Sequence, residues 1–123
     1  MPKLVRALNL SKVIAQPATL SMCSTFACRL RGLMFRTQLT EDDGLLLVEE
    51  GETRLGAAIH MLFMRFSLAV VWLDHEGRVV DKVIARPWKA AYVPRRPATY
   101  ILEMHPSRMA DYEIGDQVQL VPA

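Results

Sequence analysis

Most apolar residues in this chain fall into short runs that alternate in two-residue steps and are separated by Gly, Pro and acidic turn residues. That feature limits the fold more than any other. Alternation buries one face of a strand, and turn chemistry at short intervals sends the chain back beside itself. The pattern predicts strands over 45–48, 57–64, 68–74, 78–84, 99–105 and 117–121, with an interrupted strand at Val13-Ile14 and Thr19–Met22 around Pro17. In 57–64, Ile59, Met61 and Phe63 share one face and His60, Leu62 and Met64 the other, so this segment reads as a central strand. His75-Glu76-Gly77 reads as a hairpin turn, and 87–97, with its prolines, as a loop. Ser24 is placed to cap a helix over 25–34, and Pro106 to open a second short one. The sum is an α+β, mainly β chain: a single compact antiparallel sandwich or barrel with one or two short helices.

The 123 residues fit one domain, 1–123, in which 1–11 reads as a flexible N-terminal segment. A chain of this length with 51% hydrophobic residues can build a core without covalent staples, and the composition excludes disorder, collagen and coiled coil. No apolar run reaches the roughly 18 residues of a membrane span. Lys3, Arg6 and Lys12 interrupt any signal-like apolar core, so the expected compartment is the cytoplasm, and Cys23 and Cys28 are expected as free thiols. Their spacing, with no other cysteine nearby, makes a poor zinc half-site, and no metal or cofactor is expected.

The net charge of +2 hides blocks of one sign. Arg29, Arg31 and Arg36 lie in a stretch without acids, residues 41–52 hold six acids without a base, and 82–102 holds Lys82, Arg86, Lys89, Arg95 and Arg96 without an acid.

The run Arg29-Leu-Arg-Gly-Leu-Met-Phe-Arg36, followed by Leu39 and Asp43-Gly-Leu-Leu46, resembles the opening signature of the domain of unknown function 192 family. His60-Met61, Leu73-Asp74, Gly77-Arg-Val-Val80, Pro87, Leu102-Glu103 and Gly115-Asp116 continue the likeness over about residues 12–121. The resemblance implies a compact β-rich domain and carries no activity. Where that family commonly has Trp-Met-Lys-Asn-Thr, this chain has His60-Met-Leu-Phe-Met64, and it has Leu68-Ala69 in place of a Leu-Asp pair, so a polar site shared by the family would be reduced here.

Several residues could carry chemistry. His60 could act as a base or ligand with Glu103 or Asp74 orienting it, or be a strand histidine satisfied by a single partner. Arg29, Arg31 and Arg36 could hold a carboxylate or phosphate, favour a helix C-terminus, or pair with Asp42, Asp43 or Glu103; Arg36 with Glu103 is the pair singled out. Bases and aromatics alternate around Trp88 in 82–96 as on a single-strand nucleic-acid platform, or the aromatics simply cover one end of the fold. The leading reading is a non-catalytic module binding a small anionic ligand or a protein partner in a pocket near Arg29, Arg31, Arg36, His60, Met61, Trp88 and Glu103. The alternatives are a small hydrolase or lyase using His60 and weak nucleic-acid binding through 82–96.

Overall fold

The computed structural model describes residues 3–123. Seven strands form one curled sheet, a half-barrel, in the order β5-β4-β6-β3-β2-β1-β7. In chain order they are β1 Leu4–Asn9, β2 Thr19–Cys23, β3 Asp43–Thr53, β4 Leu68–Leu73, β5 Val79–Ala85, β6 Ala98–Met104 and β7 Val118–Pro122. A short helix α1, Phe26–Arg31, follows β2, and a 3-10 turn spans Pro106–Asp111. Among the described residues no helix is long and apolar enough to cross a membrane.

The sheet packs on both faces. On one, Leu47, Leu68, Val70, Trp72 and Ile101 meet Leu33, Ile59, Met61 and Met64 from the connections. On the other, Leu20, Leu46, Val71, Leu73, Leu102 and Met104 surround Tyr112, whose hydroxyl donates to the Ala7 carbonyl at 2.6 Å. β4 is buried along its whole length, as a strand with cores on both sides must be. The hairpin β4–β5 turns through Gly77 at φ 83°, and a Cβ there would stand 2.3 Å from the Val118 carbonyl oxygen, so no other residue fits.

Several expectations are corrected. The segment 57–64 is not a strand of the sheet. Its extended part alternates as predicted, with Ala57, Ile59 and Met61 buried, but it runs across the sheet face, and its backbone pairs with the 87–92 loop, through the Ile59–Tyr92 bridge and Met61 N–H to Lys89 O, instead of with a strand of the sheet. Periodicity reports which side is buried and not which partner supplies the hydrogen bonds. The Trp72 indole holds the segment down by donating to the Ala57 carbonyl at 2.8 Å.

Residues 4–9, expected to be flexible, form β1, paired with β2 on one side and β7 on the other. Val13-Ile14 is not a strand. The sheet is also not wholly antiparallel: β2 and β3 are parallel, because the chain between them crosses one sheet face and carries α1 there. The helix is shorter than the predicted 25–34, and its cap is Thr25, whose hydroxyl accepts the Cys28 N–H, not Ser24.

Finally, Cys23 and Cys28 are not free thiols but one disulfide. Cys23 ends β2, and the first turn of α1 brings Cys28 back until the two Cα atoms are 5.6 Å apart, inside bonding range. Such a small loop adds about 2 kcal/mol by restricting the unfolded chain. Intact mass under non-reducing conditions is expected to show the loss of two hydrogens, and Cys28→Ser to lower stability in urea by about that amount; a full complement of two thiols in the native protein would remove the bond.

Candidate functional site

The parallel connection leaves a space under α1. It is a cavity of ≈ 340 Å³ between the helix, the 56–64 segment and the sheet face of β3 and β6, and Arg29, Arg31, His60, Met61 and Glu103 all line it. That volume lies at the lower end of the range for small-molecule pockets. The structure therefore brings together five of the seven residues singled out from the sequence. Arg36 and Trp88 do not line it.

Glu103 is the polar group set deepest. It sits in β6 between Leu45 of β3 and Val70 of β4, on the face it shares with Ile101. The residue is 5% exposed. Burial alone pushes its carboxyl up to about 7, with no hydrogen bond or charge among the described residues to offset it. The backbone of Gly32 packs against it: a Cβ built on Gly32 would lie 3.6 Å from Glu103 Oε1, and the residue takes φ 49°, ψ −125°, a conformation open to glycine alone. Glycine here ends α1 in contact with the carboxyl. The expected Arg36–Glu103 pair does not form. Arg36 lies beyond the helix exit and is exposed, because the turn after Gly32 carries it away from the sheet.

His60 faces the cavity wall and is locally satisfied at both nitrogens. The Leu62 N–H donates to Nδ1 at 3.2 Å, so the ring proton sits on Nε2, which donates to the Leu30 carbonyl at 2.8 Å. The imidazole thus fastens the last turn of α1 and has no free lone pair. Asp74, offered as its carboxylate partner, instead accepts the Glu76 and Arg78 N–H groups in the β4–β5 turn. Arg29 is also engaged: it donates to the Ser24 carbonyl at 2.6 Å and the Val48 carbonyl at 3.1 Å and stands 3.6 Å from Glu49. Arg31 has no ion pair among the described residues and is the cation at the cavity left unengaged. Among the described residues no cluster of His, Cys, Asp and Glu could hold a metal ion.

Trp88 belongs elsewhere. Its ring packs on Phe63 at 5.0 Å, and Phe63 packs on Phe35 at 5.2 Å. Two cations of the 82–96 stretch are paired, Lys82 with Glu113 at 3.1 Å and Arg95 with Asp81 at 3.7 Å, while Lys89 covers the Tyr92 ring. The platform imagined there is therefore partly neutralised and its tyrosine face is taken.

The comparisons agree with this architecture. Residues 8–120 match the DUF192 family, described as Uncharacterized ACR. The chain belongs to that family. A UPF0127 protein of Thermococcus sibiricus is 40% identical over 114 residues, covering 90% of this chain and 71% of the relative. One from Pyrococcus furiosus is 36% identical over 115 residues, covering 91% and 95%. The crystal structure of a Sinorhizobium meliloti protein, described as a candidate transcription regulator, superposes with a TM-score of 0.82 at 21% identity over 97% of this chain and 93% of that one, which establishes the shared fold.

The carboxyl of Glu103 links stability to pH. In the unfolded chain it loses its proton near the ordinary 4.5; in the folded chain it keeps it to about 7. Between these values the native state binds more protons than the unfolded state, so the contribution is fully present below 4.5 and is lost as pH rises to about 7, a swing of roughly 3 kcal/mol. Glu103→Gln should be missing this decline. Urea midpoints of the two proteins compared across that window should diverge in favour of the variant as pH rises; parallel profiles would show that the carboxylate has found a partner.

Proposed function

We propose that the chain is a non-catalytic binding module that takes a small ligand with an apolar body and a hydrogen-bond-donating head, best met by an amine, into the cavity under α1. The observation that carries this reading is Glu103: a carboxyl 5% exposed, without a partner among the described residues, facing a cavity lined mostly by apolar side chains. A buried acceptor without a donor is unfavourable, and a ligand that brings the donor removes the cost. A protonated amine does so most strongly, because it also compensates the charge that burial resists. Leu47, Met61, Met64 and Ile101 supply the apolar walls, and Arg31 stands at the cavity as a cation for any acidic substituent.

The expected anionic ligand has less support. Of the three arginines invoked for it, Arg29 is held by Glu49 and two carbonyls, and Arg36 does not line the cavity. The hydrolase or lyase reading depends on His60 as a base, and both its nitrogens are engaged.

Hexylamine, hexanol and hexanoate separate these readings, since they share a tail and differ in head group. In thermal unfolding above pH 7, hexylamine is expected to raise the midpoint of the protein most, and Glu103→Gln to weaken the apparent affinity roughly tenfold or more, the worth of a hydrogen bond to a charged group. Stabilisation by hexanoate alone, lost in Arg31→Gln, would establish the anion reading in its place.

A further inference from the structure

A second surface lies beside the cavity, built from three connections rather than from the sheet. Phe35, Phe63 and Trp88 are 58%, 45% and 59% exposed, yet their rings touch in one continuous stack. Solvent-facing rings packed on each other form a single apolar cap. All three residues hold positive φ, 66°, 61° and 69°, the left-handed conformation that bulky side chains avoid and glycine accepts freely. The loops are cross-tied: Phe35 N–H donates to Phe63 O at 3.1 Å, Trp88 N–H to Met61 O at 2.7 Å, and Met61 N–H to Lys89 O at 2.8 Å. Strain repeated at three touching residues is the mark of a site kept for use, because a glycine at each position would give a more relaxed fold.

The segments that carry the cap hold charge of one sign. Residues 30–40, 53–73 and 82–102, which supply the three loops, contain no Asp or Glu. Arg36, Arg65, Arg86 and Lys89 sit in these loops, exposed and without an ion pair among the described residues. An apolar aromatic cap on loops that carry exposed cations and no acids complements a surface that is apolar below and anionic at its boundary. We propose that this face docks on an anionic lipid bilayer, with the three rings entering the interface and the arginines and lysine contacting the headgroups. A nucleic-acid strand fits less well. Bases stack on open ring faces, and the central ring, Phe63, has its neighbours packed against it. The proposal is independent of the cavity ligand.

Vesicles of phosphatidylcholine, with and without phosphatidylglycerol, test it by co-sedimentation and fluorescence. The protein is expected to sediment with the mixed vesicles, to do so weakly with phosphatidylcholine alone, and to be released by salt. Trp72 is already 1% exposed, so a blue shift on binding reports Trp88. Phe35→Gly and Trp88→Gly suit the backbone they replace and keep the fold measurable by near-ultraviolet circular dichroism; each should weaken partitioning roughly tenfold or more. Arg65→Gln and Lys89→Gln should each weaken it about fivefold. Equal binding to uncharged vesicles, no binding at low salt, or unchanged binding by the glycine variants would overturn the proposal. So would binding of single-stranded oligothymidylate or self-association of the chain through these rings in the absence of vesicle binding.

Discussion

The cavity side of the molecule depends on the pairing of β6 with β3 and β4. β6 is hydrogen-bonded on both sides, and its alternation divides the two cores: Leu102 and Met104 face one, Ile101 and Glu103 the other. The β3–β6 contact is close because Gly44 has no side chain; a Cβ there would lie 2.5 Å from the Glu103 carbonyl oxygen. The same strand geometry that brings the backbones together commits a carboxyl to an apolar interior. Burial of Glu103 is thus a consequence of sheet register, and one residue of slip would send it to the opposite core.

Around that carboxyl the chain has spent its polar groups on position. His60 and Arg29, the residues with the most obvious chemistry, both secure α1, a helix with no buried side chain of its own. Packing therefore does little to hold the roof of the cavity. A disulfide at its start, an arginine in its middle and a histidine at its end do the work, and each acts on backbone or side-chain atoms at the edge of the space and leaves its centre clear.

Much of this was legible. Strands 68–74, 78–84, 99–105 and 117–121 were read to within about a residue or two, because each is a short run rich in apolar residues bounded by turn or loop residues. Of the seven residues grouped from the sequence, Arg29, Arg31, His60, Met61 and Glu103 line one cavity, while Arg36 and Trp88 do not. Other features left weaker traces. Leu4–Asn9 alternates, with Val5 and Ala7 buried, but its charges at Lys3 and Arg6 look like those of a solvated tail until β7 is in place beside it. The extended 57–61 stretch has strand chemistry without sheet partners. The Cys23–Cys28 bond required knowing that α1 doubles back immediately after β2, and the left-handed aromatics have no sequence signal, since the residues that favour that conformation are absent from all three positions.

The pairing of β1 with β7 has a consequence for how the sheet is assembled. Val5 through Asn9 bond to Val118 through Pro122, so the first of the seven strands in chain order takes one of its two partners from the last. Until the two meet, one edge of β1 stays open, a template for stray strands. Such closure spans over a hundred residues of chain, whereas the β4–β5 hairpin closes over a few, so the β1–β7 pairing carries the larger loop-closure cost.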